Sequence, residues 1–399
     1  MNKVVIVGAS MGGLRTAESL RRSGFSGELT IVGAEKHFPY NRPPLSKDLL
    51  AEDKTFDSIE FNINKEELSA NFLLGDPAQS VDINNKEITL NSNQKLSFDF
   101  LVAATGLRSR KMDFQNPIQS GRFSLRTYDD AKRIRSAVSP GKHVVILGAG
   151  FIGLELAATL RKLNCTVDVV AMEAVPLAPI VGELFGKEIQ RRHETEGIQF
   201  HMNNSIENLI GNKFITHVSL GDGTSLECDV FIEAVGSLPN TDWLDGNDLD
   251  KSNGVCTDKT LRALGMDGKC IENFFVVGDI ARFPYVNQQI PARRIEHWNI
   301  PIETGKRVGR EISHAVNPGS VGGFNHEEPF NPLPSFWSDQ FNMSIFSYGE
   351  PKIADEINLH DGRIDSDFIF TYHRQGKLVG AAGIGMRQGL NKLRSEIWL

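Results

Sequence analysis

The chain has 399 residues, 40% of them hydrophobic and 23% charged, a balance typical of a soluble globular protein with two or three domains. Its formal net charge of −7 argues against nucleic acid as the main partner, because phosphate binding needs a basic field. No apolar run approaches the roughly 18 residues of a membrane span, and a strand pattern starting almost at once leaves no room for a signal peptide, so no membrane association and a cytoplasmic location are expected.

Residues 4–7 form a short apolar run before glycines, the pattern of a buried parallel strand. The turn Gly8-Ala9-Ser10-Met11-Gly12-Gly13 follows, then a helical pattern over 14–22 and an apolar run over 29–32, which completes a βαβ unit. Glycines here have a mechanical reason: a tight turn, close backbone approach to a pyrophosphate, and close packing of helix on strand. The helix N-terminus then offers free N–H groups and positive partial charge to phosphates. Ser10 replaces the middle glycine and is small enough to keep that approach. Glu35, about 20 residues beyond, can accept hydrogen bonds from ribose hydroxyls. An ordinary βα turn would explain the glycines alone, but not the strand, helix and acid together.

Residues 40–47 read Tyr-Asn-Arg-Pro-Pro-Leu-Ser-Lys. Two prolines stiffen the segment. Arg42 has the fork geometry for a pyrophosphate, and Lys47 is a point charge able to sit beside an electron-accepting ring. A rigid linker with solvated charges is the plainer alternative. Residues 80–90 suggest a hairpin turning at Asn84-Asn85, and the strand after it ends at Thr105-Gly106.

The same order then recurs. An apolar run over 144–147 leads into Gly148-Ala149-Gly150-Phe151-Ile152-Gly153, a full GxGxxG, followed by a helical pattern over 154–163 and a strand over 167–170. Glu155 lies inside that helix, either as a solvated acid or as part of a site. Ala171 stands where a ribose-binding acid is expected, and Glu173 could still reach the ribose. Between 168 and 185 there is no arginine or lysine to pair with a 2′-phosphate, which favours NADH over NADPH. Asp222-Gly223 signals a hairpin before a strand ending at Val235-Gly236. Two modules of similar order are the simplest account, and they imply two dinucleotides on one chain.

Residues 274–277 form a third strand, ending in Gly278-Asp279, with no βαβ unit before it. It reads as the return of the first module, with the second inserted. An acid at that position faces the ligand crevice and could bind a polyol chain; capping the next helix is the alternative. A helical segment follows over 302–314. From 319 onward, alternating and aromatic runs around a Gln375-Gly376 turn indicate an antiparallel sheet. Cys165, Cys228, Cys256 and Cys270 have no CxxC or metal-ligand spacing, so four reduced, mostly buried thiols and no metal site are expected.

Together these residues resemble the FAD-dependent ferredoxin–NAD(P)+ reductases that serve [2Fe–2S] ferredoxins or rubredoxins in bacterial monooxygenase and Rieske dioxygenase systems. Those enzymes belong to the glutathione-reductase-like flavoprotein superfamily. The more specific matches are residues 42–47, 151–155, Arg294-Ile295-Glu296-His297-Trp298 and Phe336-Trp337-Ser338-Asp339. The resemblance implies an α/β fold with two Rossmann-like domains and a C-terminal α+β domain. Expected bounds are 1–113 with 242–318 for FAD, 114–241 for NADH, and 319–399 for the third. Gly8, Ser10, Gly13, Glu35, Arg42, Lys47, Thr105, Gly106, Asp279, Glu296, His297 and Trp298 would contact FAD. Gly148, Gly150, Gly153, Glu173 and Gly236 would hold NADH. Lys47, Glu155 and Trp298 would act nearest the chemistry, with Glu155 able to pair with Lys47.

Disulfide reductases of the superfamily carry a redox cysteine pair soon after the first βαβ unit, and residues 40–47 contain none. Electrons are therefore expected to pass from flavin to an external ferredoxin or rubredoxin. A basic patch drawn from Arg293, Arg294, Arg387, Lys392 and Arg394 is the candidate docking surface. An NADH oxidase or peroxidase using oxygen species directly is the alternative, as is a flavoprotein whose reduction changes its association state.

Overall fold

The computed structural model describes residues 2–114, 118, 120–285, 290–319 and 321–398; the outermost residues of the expected division, 1 and 399, lie outside them. Two largely parallel sheets arise where the repeated strand–turn–helix pattern requires them. The first runs in the order Arg262–Leu264, Cys270–Val276, Phe100–Ala103, Lys3–Val7, Glu28–Gly33, Asn71–Leu74. Only its first strand is antiparallel to its neighbour. The second runs Gln199–Met202, Thr166–Ala171, His143–Leu147, Val230–Glu233, Arg122–Ser124, all parallel. Continuous apolar runs such as 100–103 are buried on both faces, as central parallel strands must be. The Cys270–Val276 strand completes the first sheet after the second has been built, which is why it lacks a βαβ unit of its own.

Each sheet carries a three-stranded antiparallel meander before its returning strand. The turn at Asn84-Asn85 joins Ala78–Asp82 to Glu87–Leu90, and that at Asp222-Gly223 joins Ile215–Leu220 to Ser225–Glu227. The helix Ile300–Val316 packs against the helix Met11–Arg22 under the first sheet. Two connectors between the modules, Leu107–Ser109 and Ser237–Pro239, pair as a short antiparallel ribbon, a feature the periodicity did not suggest.

The tail forms a five-stranded antiparallel sheet in the order Ser335–Gln340, Met343–Gly349, Lys377–Ile384, Phe368–Arg374, Glu356–Gly362. Gln375 and Gly376 both adopt positive φ, 50° and 75°, as a tight hairpin turn requires. Phe368 and Phe370 of this sheet bury against Phe185 of the helix Glu183–Thr195. Each such side chain contributes about 1.5–3 kcal/mol, so the sheet is fixed on the second module rather than tethered beside it.

The four cysteines are free thiols, but only Cys165 and Cys228 are buried, so the expectation of mostly buried thiols is half met. Cys270 is exposed because it opens its strand at the sheet's margin. Burial pushes the Cys228 thiol up to about 12, and partial desolvation with the Asp258 carboxylate alongside pushes Cys270 up to about 11. Both are poor thiolates and poor nucleophiles.

Candidate active site

A cleft of about 1080 Å³ runs from the Gly8 turn to Trp298 and Trp337, just above the ~300–1,000 Å³ usual for ligand cavities. Gly8, Ser10, Glu35, Arg42, Lys47, Thr105, Gly106, Asp279, Glu296, His297 and Trp298 all line it. At its base the first turn is as close-packed as the spacing requires. A Cβ on Gly13 would sit 2.0 Å from the Gly8 carbonyl oxygen, so only glycine lets this helix meet its strand. Ser10 occupies the N-cap position of the helix Met11–Arg22 with no side-chain cap of its own.

Glu35 and Arg42 face each other, with Arg42 Nη2 donating to Glu35 Oε1 at 2.5 Å. Tyr40 joins them: its hydroxyl donates to Glu35 Oε2 at 2.6 Å and accepts from Arg42 Nη1 at 2.9 Å. Arg126 adds a second guanidinium, 3.5 Å from Asp279 Oδ2. A reciprocal cap between Thr127 and Asp130 opens the helix Tyr128–Ala137 and sets Arg126 at its entry. Burial raises the Asp279 carboxyl above its ordinary value, against the pull of Arg126. Asp279 lies in the one-turn helix Gly278–Ile280, three residues past the strand, and caps no helix. Thr105 donates to the Asn240 carbonyl at 2.6 Å, while Gly106 takes a positive φ of 61° beside it.

Deeper in, Lys47 Nζ lies 2.6 Å from Glu155 Oε1, with side chains 16% and 5% exposed. The prolines of the turn Pro43–Ser46 fix the approach of Lys47, and the helix Phe151–Lys162 presents Glu155. Ser46 Oγ and Ser338 Oγ each donate to Glu155 at 2.5 Å. Glu155 is therefore a buried, partnered acid and not a solvated one. At the mouth, Trp298 is 37% exposed and meets Trp337 edge-to-face at 5.2 Å. His297 packs on Phe336 at 5.1 Å. Desolvation pushes its imidazole down to about 4, and its Nδ1 is buried with no partner. Glu296 accepts from Ser237 Oγ at 2.9 Å and pairs with Arg294.

The second glycine turn repeats the first. A Cβ on Gly153 would sit 2.1 Å from the Gly148 carbonyl oxygen. Gly150 and Gly236 are open, with no neighbouring atom within 4 Å of where a Cβ would stand, and Gly236 has φ of 88°. Backbone pairing also settles the strand register after it. Gly75 N donates to Glu35 O at 2.9 Å, and Asn203 N donates to Glu173 O at 3.0 Å. Likewise Asp76 N donates to Gly33 O, and Asn204 N to Ala171 O. Glu173 is thus the counterpart of Glu35, and Ala171 corresponds to Gly33. Glu173 lies two residues past Ala171, exposed beyond the strand end.

The chain matches the family of pyridine nucleotide-disulphide oxidoreductases over residues 2–305. It belongs to that family. The ferredoxin–NAD(+) reductase component of the p-cumate 2,3-dioxygenase system of Pseudomonas putida is 30% identical over 386 residues, covering 96% of this chain and 90% of that protein. Among solved structures, the ferredoxin reductase for the CYP199A2 system from Rhodopseudomonas palustris aligns with a TM-score of 0.88 at 28% identity, over 99% of this chain and 94% of that one. The covalent putidaredoxin reductase–putidaredoxin complex aligns with a TM-score of 0.88 at 25% identity, over 99% of this chain and 92% of that one.

In this member of the pyridine nucleotide-disulphide oxidoreductases, no cysteine among the described residues lines the cleft. No metal-binding cluster occurs among the described residues, and no helix among them is long and apolar enough to cross a membrane. Of the five basic residues singled out, Arg293 pairs with Glu350 and Arg294 with Glu296. Arg387 and Arg394 lie exposed over Phe346 and Tyr348, with Lys392 between them on the last helical stretch. Sequence reasoning did not single out Tyr40, Ser46, Arg126 or Ser338. The first two lie in the proline segment and Ser338 in the Phe336–Asp339 match, so a polar residue within a recognised motif was the available signal. Arg126 had none.

Proposed function

We propose that the chain is an NADH-dependent flavoprotein reductase that passes electrons singly to a [2Fe–2S] ferredoxin or rubredoxin serving a monooxygenase or Rieske dioxygenase. The balance is one NADH and two oxidised ferredoxins giving NAD+, two reduced ferredoxins and one proton. The observation that carries this reading is the Lys47–Glu155 pair at 2.6 Å, set in a dinucleotide-sized cleft without a cysteine.

The cleft fits FAD on its own features: a helix N-terminus at a glycine turn, two guanidinium groups, and an unpartnered buried nitrogen on His297. When bound, FAD supplies hydride acceptance from nicotinamide and release of electrons one at a time. Gly8, Ser10 and Gly13 hold its pyrophosphate, with Arg42 and Arg126 supplying positive charge. Glu35 takes the adenosine ribose and Asp279 the ribitol chain, while Thr105 and Gly106 close over it. Lys47 holds a positive charge beside the ring, kept in place by Glu155. Glu296, His297 and Trp298 line the exposed edge, where Trp298 shields the ring from water. Gly148, Gly150, Gly153 and Gly236 receive NADH at the second turn. The matching domain division is 1–113 with 242–318, 114–241, and 319–399.

Anaerobic NADH should bleach the bound flavin, and added ferredoxin should then be reduced. Failure with every ferredoxin tried, together with oxygen uptake at the full NADH rate, would show an oxidase instead. An acidic ferredoxin docking near Arg387, Lys392 and Arg394 makes turnover fall steeply with salt.

NADH preference rests on Glu173, the counterpart of Glu35, and on the absence of arginine and lysine from 168 to 185. Glu173→Gln should raise KM for NADH about tenfold, the loss of one charge-assisted hydrogen bond. Equal kcat/KM for NADH and NADPH in the unaltered protein would refute this preference.

A further inference from the structure

A chain of buried side chains leads from Glu155 into the C-terminal sheet and back to the second module. Ser338 Oγ donates to Glu155 Oε1 at 2.5 Å, and Gln340 Nε2 donates to Ser338 Oγ at 3.0 Å. Gln340 Oε1 lies 2.8 Å from His193 Nε2. Ser338, Gln340 and His193 are all buried. Period-two alternation along the strand Ser335–Gln340 turns Ser338 and Gln340 to one face, and leaves Asp339 exposed on the other. His193 comes from the helix Glu183–Thr195.

Donor and acceptor chemistry gives this chain one consistent sense. Burial pushes the His193 imidazole down to about 4, so the ring is neutral at ordinary pH and carries one proton. The Gln340 oxygen can only accept, so the ring meets it through a protonated Nε2. The amide then has only its nitrogen to offer Ser338, and Ser338 has only its single proton to offer Glu155. Every dipole therefore points its positive end at the carboxylate, and aligned hydrogen bonds strengthen one another in a dry interior. Lys47 is the charged group in contact with Glu155, and Ser46 Oγ satisfies the other oxygen.

We infer that Ser338, Gln340 and His193 are positioning residues that hold Glu155 ionised and aimed at Lys47. Without the Ser338 hydroxyl, a buried lone pair on Glu155 loses its donor. Glu155 then takes up a proton from solvent at a higher pH, and the pair passes from net zero to net positive, with Lys47 still charged. The C-terminal sheet thus takes part in setting the charge beside the flavin. This inference rests on the proposed reductase reading, but it is testable apart from it.

The test compares Ser338→Ala, Gln340→Met, Ser338→Thr and, as control, Ser344→Ala, whose exposed hydroxyl bonds Asp339. In flavin-stripped protein, infrared titration follows the Glu155 carboxylate, identified by the band missing from Glu155→Gln. Ser338→Ala should move its titration up by about one pH unit, the effect of one lost hydrogen bond to a charged group. Gln340→Met should move it the same way by less, Ser338→Thr should restore it, and Ser344→Ala should leave it unchanged. Should Ser338→Ala not fold, the Gln340→Met shift decides. Titration at the unaltered pH in both variants, with only thermal stability reduced, would overturn the inference. Flavin bleaching by NADH in the unaltered holoprotein separately tests the reductase reading.

Discussion

Gly13→Val is expected to yield protein that purifies without flavin colour, whereas Gly153→Val should keep its flavin and lose reduction by NADH. The two changes are nearly identical in local terms. Each places a Cβ about 2 Å from the carbonyl oxygen of the glycine that opens its turn, at 2.0 Å and 2.1 Å respectively. Neither contact is tolerable, so the helix must tilt away from its strand at a cost of about 1–3 kcal/mol. Its N-terminal N–H groups then no longer converge on a phosphate. A loss of about 100-fold in affinity, roughly 2.7 kcal/mol, is the expected scale in each case. Because the structural penalties match, any difference in phenotype reports which dinucleotide each turn serves. The flavin-to-protein absorbance ratio measures the first, and KM for NADH the second. Equal flavin loss in both variants would mean that the two turns had been given the wrong ligands.

The second large effect is expected at the Lys47–Glu155 pair. Glu155→Gln should slow flavin reduction by NADH about 100-fold, or roughly 2.7 kcal/mol of barrier, and Lys47→Met by a similar factor. The side chains are 16% and 5% exposed, so removing one partner strands the other's charge away from water. Breaking such a pair costs about 3–5 kcal/mol of stability. Glu155→Gln should fall nearer the low end, since one of the two hydroxyls, Ser46 on Oε2 or Ser338 on Oε1, can still donate to the single amide oxygen while the other turns to accept from the amide nitrogen. The double variant is the informative one. With both charges gone it should recover much of the stability, but none of the rate. Stopped-flow reduction and thermal unfolding on the same four proteins separate these effects. A double variant that reduces its flavin as fast as the unaltered protein would confine the pair to a structural role.

Legibility in the sequence followed chain distance. The two glycine turns, their flanking strands and the hairpins at Asn84-Asn85, Asp222-Gly223 and Gln375-Gly376 depend on residues a few positions apart. Periodicity and turn chemistry therefore carried them. Lys47 and Glu155 were nominated by motif, and their contact came from the resemblance rather than from spacing. Counting along the second strand pointed to Ala171, whereas backbone pairing to Asn203 and Asn204 makes Glu173 the structural counterpart of Glu35. That register depends on how neighbouring strands align, which no single segment encodes. The partners of Glu155 show the same division more sharply. Ser46, Ser338, Gln340 and His193 come from three separate stretches of the chain, and the last three meet where Phe368 and Phe370 seat the last sheet on Phe185. Local pattern specifies which segments become strand, turn or helix, while the burial of apolar faces selects which polar groups end up sharing a dry interior, and hence which charges persist there.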